Sequence, residues 1–533
     1  MQSIKLVTKA FSPRERTLFF AVLSVFLASL IGIVVMTVKE RSVLVPVRGG
    51  SYTEGMIGQP IMVNPVLSGN QTDQDIAALV FSSIADLASD IKRSEDGRKY
   101  SVKLKEGLVW DDRKPLTSED VIFTVHTIQN IAAHSPLMKD WQGVGLERVS
   151  QLQIDFLLPT PYVFFDRNLA RTRVIPKHIF EPIPVENIAL SGYNLEPVGS
   201  GPYTFERFMK RKDGFITEYH LVPNPSYAGT APYIERFSFR FYPTIEELAK
   251  EFRLRRIDGF GSALPLSMEI QNLPRVFVEA AAMPRYYAVF MNAVNNPALK
   301  EKNLRIALSL AIDREKIVRE VFKNNALAIS SPVFTQVPSG TGQSDAEQAA
   351  RLIASLKSKD IKLNLVIPEI PFLQKTADII KEGWLSAGIQ EVNIFPMSAN
   401  TIANEAIKTR NYELLLFGNI YENPDDLFPF WHSSQRFYPG LNLSLYQSTE
   451  ADKQMEAIRQ KDDEATKAAA LSRLGSVLSN DAPAAFLFSA PYFYAHTTRL
   501  SGFGTPFVVA ASDRFQNVSS WYVMSARALA PGE

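Results

Sequence analysis

Hydrophobic residues form one long uninterrupted run near the start of the chain and only short, periodic runs after it. Residues 18–38 contain no charged side chain. A helix needs about 20 apolar residues to cross a bilayer, whereas the apolar core of a cleaved signal peptide is usually about 7–15 residues long. The run ends at Met36-Thr37-Val38-Lys39, which is not a small-x-small cleavage site. We therefore predict an uncleaved transmembrane anchor at 18–38.

Basic residues flank this run on both sides, with a slight excess before it: Lys5, Lys9, Arg14 and Arg16 precede it, and Lys39, Arg41 and Arg48 follow it. Lysine and arginine favour the cytoplasmic side of a span. We expect a cytoplasmic tail at 1–17, a single span, a juxtamembrane linker at 39–50 and a soluble body outside the cytoplasm.

After Ser51 the chain alternates strand-like and helix-like patterns. Tyr100, Val102 and Leu104 alternate with polar residues, which predicts a half-buried strand. Thr117 is a typical helix N-cap with Asp120 at the third helical position, so the sequence predicts a helix from Ser118 to about residue 131. We interpret Trp110, between these elements, as a core aromatic.

The second half of the chain continues the alternation. The patterns predict a strand at 286–291, helices at 304–312 and 314–322 capped by Asn303 and Asp313, a loop at 338–342, a helix from Asp345 to 356, a strand at 362–367, and a helix at 373–387 ended by Gly388. Strands that alternate with helices favour α/β lobes.

Composition narrows the class of protein. A chain of 533 residues with 46% hydrophobic and 21% charged residues is long enough for two or three globular domains. The formal net charge of +1 gives no electrostatic reason to expect a nucleic-acid partner. The absence of cysteine excludes disulfides, thiolate metal sites, a cysteine nucleophile and a lipid-modified cysteine.

Patterns typical of enzymes and metal sites are missing from the sequence. The histidines form no HExxH or HxxxH pair, and there is no GxSxG elbow, no SxxK set and no P-loop: His126, His134, His178, His220, His432 and His496 stand apart. We therefore predict that the protein is not an enzyme and has no catalytic residue, no metal site and no cofactor.

A series of short segments identifies a family by its order and spacing along the chain: 49–53, 60–65, 100–110, 114–123, 197–203, 224–227, 257–258, 303–314, 412–434, 448–452 and 481–483. Tyr100-Ser-Val-Lys-Leu-Lys-Glu-Gly-Leu-Val-Trp110 and Asn303-Leu-Arg-Ile-Ala-Leu-Ser-Leu-Ala-Ile-Asp-Arg314 are the most specific of them. From about Gly49 to about Gly504 the chain resembles the family 5 extracellular solute-binding proteins, which serve peptide, dipeptide and nickel ABC transporters.

This resemblance implies a fold and a division of the chain. The fold is α/β and periplasmic-binding-protein-like, of type II, with two lobes, a hinge and an extra subdomain. We expect the N-terminal lobe at 51–285 with the inserted subdomain at about 85–195, the C-terminal lobe at 286–490, and a return to the N-terminal lobe and a tail at 491–533.

The resemblance also implies a ligand-binding loop. Peptide-binding members hold the ligand's terminal ammonium on an aspartate four residues before a proline, and here Pro424 aligns while that position is Ile420. Either Glu422, Asp425 or Asp426 replaces the missing carboxylate, or the ligand has no free amino terminus there. The candidate ligand-binding residues are Gly418, Asn419, Ile420 and Tyr421, followed by Tyr287 and Asn292.

Three functions stay open at this point. The first is a monomeric, membrane-anchored receptor that binds an oligopeptide-like ligand between its lobes and delivers it to ABC permease subunits. The second is a degenerate binding protein that acts as a surface sensor or assembly factor without uptake, which the missing carboxylate favours. The third is a membrane-anchored hydrolase, against which the absence of a nucleophile pattern counts.

Overall fold

The computed structural model describes residues 12–40, 42–333, 344–358 and 360–529, so the predicted loop at 338–342 lies outside the described residues. Within these ranges the chain forms the following strands: β1 (Ser42–Pro46), β2 (Ser51–Ile57), β3 (Ala88–Arg93), β4 (Lys99–Leu104), β5 (Gly145–Ser150), β6 (Gln153–Leu157), β7 (Tyr203–Lys210), β8 (Ile216–Pro223), β9 (Arg236–Tyr242), β10 (Gly259–Ser262), β11 (Val276–Ala281), β12 (Arg285–Met291), β13 (Leu327–Ala328), β14 (Lys362–Pro368), β15 (Glu391–Met397), β16 (Leu414–Ile420), β17 (Ala484–Ser489), β18 (Tyr492–Thr497) and β19 (Ser525–Leu529).

Helices connect most of these strands. In the same ranges they are α1 (Pro13–Glu40), α2 (Gln71–Val80), α3 (Ile84–Leu87), α4 (Ser118–Gln129), α5 (Met138–Trp141), α6 (Phe165–Arg171), α7 (Lys177–Phe180), α8 (Ile245–Arg253), α9 (Met268–Gln271), α10 (Lys302–Leu310), α11 (Arg314–Val321), α12 (Ala346–Ala354), α13 (Pro371–Ser386), α14 (Ala399–Thr401), α15 (Phe428–Trp431), α16 (Thr449–Gln460) and α17 (Glu464–Asp481).

Two large mixed sheets define two lobes. The N-terminal lobe contains a seven-stranded sheet in the order β11-β18-β10-β2-β9-β8-β7, in which β2 runs parallel to both β9 and β10. The C-terminal lobe contains a six-stranded sheet in the order β13-β17-β12-β16-β14-β15, in which β14 runs parallel to β15 and β16. Helices pack on these sheets, as expected where parallel strands are buried on both faces.

A smaller sheet adds a third layer beside the N-terminal lobe. It is antiparallel, has the order β3-β4-β6-β5, and shares one hydrophobic core with the seven-stranded sheet. Tyr100, Val102 and Leu104 of β4 point into this core and are buried, whereas the residues between them are more exposed. The segment that follows β6 and runs to the end of α6 forms part of the side of the N-terminal lobe that faces the C-terminal lobe.

The chain crosses between the lobes where strands of the two sheets follow each other directly. At the first crossing, β11 belongs to the seven-stranded sheet and β12 to the six-stranded sheet. At the second crossing, β17 belongs to the six-stranded sheet and β18 to the seven-stranded sheet. Only Ala282 to Pro284 and Ala490 to Pro491 separate the paired strands. Such short crossings keep the two sheets adjacent.

Part of the segment predicted as a linker, 39–50, forms a strand. It contains β1, which pairs antiparallel with β19 at the other end of the chain. Gly50 follows with φ of +79°, and a Cβ atom at this position would lie 2.5 Å from Cγ2 of Val523. The close approach of the carboxyl-terminal segment therefore requires glycine here.

The amino-terminal helix is the one helix of the described residues that is long and apolar enough to cross a membrane. Its apolar stretch, Pro13–Ile33, has a mean hydropathy of 2.1 and is not buried against the rest of the protein. The whole helix α1 includes the residues predicted as the span, 18–38. Length and composition permit either a membrane anchor or a signal sequence.

Most predicted elements of the body are present. Thr117 caps α4 in a reciprocal box with Asp120, Asp313 and Asp345 cap α11 and α12, and Trp110 is fully buried. The predicted role of Asn303 is wrong. Helix α10 begins at Lys302, so Asn303 is a helical residue, and the capping position is taken by Glu301 without a side-chain hydrogen bond.

Candidate functional site

A cavity of about 710 Å³ lies between the two lobes. The N-terminal lobe contributes residues of α5, of the segment 158–162 and of α6, while the C-terminal lobe contributes the end of β16, the segment that follows it, α15 and α16. This volume lies within the range of about 300–1,000 Å³ that is typical of small-molecule sites. Since both lobes form its walls, a change in their relative position would change its shape.

Three of the predicted ligand-binding residues line this cavity at the end of β16. A Cβ atom on Gly418 would lie 2.7 Å from Cε1 of Tyr287, so this position has no room for a larger residue. Asn419 is buried, and its Nδ2 atom donates a hydrogen bond of 3.1 Å to Oη of Tyr286. Ile420 is 40% exposed and presents an apolar surface to the cavity.

The side chains of the other three predicted residues are buried in the core, and none of the three lines this cavity. Tyr421 is fully buried among the rings of Tyr286 and Phe430. Tyr287 stacks on Phe488 with ring centroids 4.8 Å apart. Asn292 is fully buried, and its Nδ2 atom donates to the carbonyl of Arg410 at 3.0 Å.

The burial of Tyr287, like that of its neighbour Tyr286, follows from the geometry of β12. Neighbouring residues of a strand point to opposite faces of the sheet. Tyr286 belongs to one hydrophobic core of the C-terminal lobe and Tyr287 to another. Both faces of β12 are therefore covered, and neither tyrosine faces open solvent.

The three carboxylates proposed as replacements for the missing aspartate have cationic neighbours within the protein. Asp426 accepts two hydrogen bonds from Arg459, and Glu422 lies 2.6 Å from Nη1 of Arg171. Asp425 lies 3.8 Å from Nζ of Lys467, and its pKa is raised because burial removes water from the carboxylate. None of them is a free carboxylate at the wall of the cavity.

Asn423, in the same segment, is buried and lines the cavity. Its Oδ1 atom accepts a hydrogen bond from the backbone of Asp425, whereas its Nδ2 atom has no acceptor among the described residues. A buried donor without an acceptor is costly, since its desolvation is not compensated.

A further acidic residue of the cavity, Asp140, was not predicted from the sequence. It lies in the short helix α5, and its carboxylate accepts no hydrogen bond from the described part of the chain. Burial, with a smaller contribution from the charge of Glu422, raises the pKa of Asp140 to about 6. The segment Lys139-Asp140-Trp141 carries no recognisable motif, so no signal in the sequence marks this residue.

A second cavity of about 610 Å³ adjoins the first. Its walls come from α2, α3 and α6 of the N-terminal lobe and from the carboxyl-terminal segment 509–519. Five residues line both cavities: Lys139, Asp140, Arg167, Arg171 and Glu422. The ion pair between Arg171 and Glu422 therefore lies at the junction of the two cavities.

Arg285 lies where the chain crosses between the lobes. It is the first residue of β12 and is buried, and its Nη2 atom donates to the carbonyls of Ala263 at 2.7 Å and Ala490 at 3.2 Å. Burial lowers the pKa of its guanidinium, since no carboxylate compensates the lost hydration. Arg285 thus ties both crossings together beside the cavity.

The described residues contain no group of three or more His, Asp or Glu side chains with the spacing of a metal site. The buried cluster of Arg514, Glu54 and Asp75 is instead an internal ion-pair network of the N-terminal lobe. It holds the returning carboxyl-terminal segment against β2 and α2 and lies away from the cavity between the lobes.

Comparison with known proteins identifies the family. The family model for the bacterial extracellular solute-binding proteins, family 5 Middle, matches residues 83–438. A curated relative, the oligopeptide-binding protein AppA of Bacillus subtilis, is 24% identical over 507 residues, with 87% of this chain and 90% of the relative covered.

Solved structures agree with this result. The ABC transporter substrate-binding protein CtaP of Listeria monocytogenes has a TM-score of 0.78 at 26% identity and covers 89% of this chain and 99% of its own. The B. subtilis AppA, solved in complex with a nonapeptide, has a TM-score of 0.71 at 21% identity, with coverages of 90% and 99%.

These matches confirm the predicted family and the α/β, periplasmic-binding-protein-like fold. Relatives of the chain include peptide-binding substrate proteins of ABC importers, and proteins of this family are binding receptors without enzymatic activity. The match covers more than half of the chain, and the chain belongs to the bacterial extracellular solute-binding proteins of family 5.

Proposed function

We propose that the protein binds a peptide-like ligand in the cavity between its lobes and delivers it to the permease subunits of an ABC importer. The observation that carries this proposal is the cavity itself, with walls from both lobes and with Gly418, Asn419 and Ile420 at its edge. The lobes, at 51–285 and 286–490, would close on the ligand about the crossings that Arg285 connects.

A peptide-like ligand fits the polar groups of this cavity. The amide side chains of Gln142 and Gln460 in its wall can hydrogen-bond to the backbone amides that every peptide offers regardless of its side chains. The exposed face of Ile420 and the ring of Phe430 offer apolar contact for a ligand side chain. A relative that was solved with a nonapeptide supports the same class of ligand.

We further propose that α1 holds the protein at the cell membrane with its body on the extracytoplasmic side. The helix is apolar over Pro13–Ile33, and this stretch is not buried inside the described protein. A tether raises the local concentration of a receptor near its permease. We expect a monomer, because closure of one cavity by two lobes of one chain needs no second copy.

The test is ligand binding with the cavity open or filled. The full-length protein, purified in detergent, is mixed with a pool of unmodified peptides of two to nine residues and examined by native mass spectrometry. We expect bound peptides with the wild type and loss of most of them with Ile420→Trp, because the larger side chain occupies the cavity.

Ile61→Trp is the matched control, since Ile61 is 66% exposed and lies outside both cavities. It should bind peptides like the wild type. Equal binding by Ile420→Trp would place the ligand elsewhere, and an absence of bound peptide in the wild type would contradict the proposed function.

A further inference from the structure

Asp140 occupies a distinctive position in the molecule, at the junction of the two cavities. Asp140 lines both of them, and so do Arg171 from α6 and Glu422 from the C-terminal lobe. A ligand that extends from the first cavity toward the second would therefore pass close to Asp140. Asp140 is held in place by its backbone, since its carbonyl accepts a hydrogen bond of 3.0 Å from Nδ2 of Asn168.

Asp140 differs from the other acidic residues of the first cavity in having no partner. Asp426 is paired with Arg459, and Glu422 with Arg171. Glu456 lies 3.4 Å from Nε2 of His432. Within the described ranges, no hydrogen-bond donor and no ion-pair cation reaches the carboxylate of Asp140.

The charged groups that face Asp140 come from four elements. Glu422, in the segment after β16, raises the pKa of Asp140, whereas Lys139 in α5, Arg171 in α6 and Arg459 in α16 lower it. Burial is the largest cause, and the net result is a pKa of about 6. The nearby cations therefore do not compensate the ionised carboxylate for the water that it has lost.

We propose that Asp140 binds a positively charged group of the ligand at the junction of the two cavities. A cation at this point would pair with a carboxylate that lacks a partner and would also be attracted by Glu422. Such a charge-assisted hydrogen bond is stronger than one between neutral groups. The inference rests on the proposed function, because it takes the cavity between the lobes as the ligand site.

The position of Asp140 specifies more than charge. Because the carboxylate lies between two cavities, the ligand can extend on both sides of its cationic group. The cation is then either the terminal ammonium of a peptide, with the chain in the first cavity, or a lysine-like side chain, with the backbone in both. In this arrangement Asp140 supplies the carboxylate that is absent at position 420.

Binding should depend on pH as a consequence. The ionised form of Asp140 binds the cation, and a bound cation lowers its pKa, so binding releases a proton near pH 6. Affinity should be constant above pH 7 and should fall by up to about tenfold per pH unit below 6. Glu422 faces the same junction and has Arg171 as its partner.

The experiment compares three pools of synthetic hexapeptides built from Gly, Ala, Ser and Leu. One pool has free amino termini, the second is N-acetylated, and the third is N-acetylated with one central lysine. Affinities are measured by calorimetry at pH 7.5 and pH 5 for the full-length wild type, Asp140→Asn and Asp166→Asn. Asp166 is an exposed residue of α6 outside both cavities, so Asp166→Asn is the control.

We expect at least one cationic pool to bind the wild type about tenfold or more tightly than the uncharged pool at pH 7.5. That preference should vanish in Asp140→Asn and persist in Asp166→Asn. Tighter binding of the pool with free amino termini identifies the terminal ammonium as the group that Asp140 binds. Tighter binding of the acetylated lysine pool identifies the side-chain ammonium.

Two results would overturn the inference. If the uncharged pool binds the wild type as tightly as the cationic pools, or if Asp140→Asn keeps the preference, then peptide binding stands and Asp140 is not its cationic site. If no pool binds the wild type, then the proposed function fails together with the inference.

Discussion

Asp426 accepts two hydrogen bonds of 2.8 Å each from the guanidinium of Arg459, one from Nε and one from Nη2. Both residues belong to the C-terminal lobe, and Tyr162 of the N-terminal lobe donates a third hydrogen bond of 3.1 Å to the same carboxylate. Asp426, one of the three acids that could have replaced the missing aspartate, is thus already paired within the protein and stabilises the wall of the cavity. This relationship connects the two lobes directly.

Loss of Arg459 should destabilise the protein. The carboxylate of Asp426 is buried, and removal of one partner of a buried pair leaves an uncompensated charge that costs about 3–5 kcal/mol. Arg459 itself is partly exposed, so we expect Arg459→Met to lower the free energy of unfolding by about 3 kcal/mol. Urea unfolding at pH 7 measures the change.

The matched control for this prediction is Arg256→Met. Arg256 also pairs with a carboxylate, that of Glu251 at 3.0 Å, but its side chain is 59% exposed. Exposed pairs contribute about 0–1 kcal/mol, so the control should change stability little. Equal effects of the two substitutions would show that the Asp426 pair is no stronger than a surface pair.

We expect ionised Asp140 to lower the free energy of unfolding at neutral pH. An acid with a raised folded-state pKa favours unfolding once it is ionised, so the penalty is absent below its ordinary pKa of 3.8 and complete above about 6. We expect Asp140→Asn to raise the free energy of unfolding on the order of 1–2 kcal/mol at pH 8 and to leave it unchanged at pH 3.5.

Urea unfolding of the wild type and Asp140→Asn at the two pH values measures this difference, with Asp166→Asn as the control. A stabilisation of equal size at both pH values would assign the effect to packing rather than to charge. A destabilised variant at pH 8 would mean that a cation of the protein already pairs with Asp140.

Local signals in the sequence account for the elements that were predicted correctly. Thr117, Asp313 and Asp345 each cap a helix through a hydrogen bond to a backbone amide two or three residues ahead, which the sequence displays directly. Asn303 has the right residue type for a cap, yet the capping position of α10 lies two residues earlier, at Glu301. A 3-10 turn at Pro297–Lys300 brings Glu301 to the capping position.

The site depended on contacts that the sequence does not display. The order of landmarks predicted the cleft-lining segment, and Gly418, Asn419 and Ile420 do line the cavity. Glu422, however, pairs with Arg171 of the other lobe, and no local pattern in the sequence indicates such a pair. For the same reason Asp140 could be recognised only once its neighbours in space were known.

Ile420 offers a gain-of-function prediction. It is exposed at the end of β16 and lines the cavity, so Ile420→Asp adds a carboxylate at the position where the resemblance in the sequence implies one. We expect tighter binding of peptides with free amino termini and no gain for N-acetylated peptides, measured by calorimetry. Unchanged affinity would mean that the loop alignment is wrong or that another acid already binds the ammonium.

The proposed membrane orientation leads to a protection experiment. Protease added to intact cells or protoplasts should digest the body of the protein and spare a fragment with the residues before and within α1. Antibodies against an amino-terminal tag and against the body detect the two parts. A protected body would reverse the orientation, and recovery of the body in the culture medium without the helix would indicate a cleaved signal instead of an anchor.

The central claim is that the cavity between the lobes binds a peptide-like ligand, and thermal unfolding of the full-length protein tests it most directly. A ligand that binds only the folded state stabilises it by about 2.7 kcal/mol at one hundred times its Kd. We predict that millimolar pools of peptides of two to nine residues raise Tm by several degrees in the wild type and not in Ile420→Trp. An unchanged Tm of the wild type with every pool would contradict the claim.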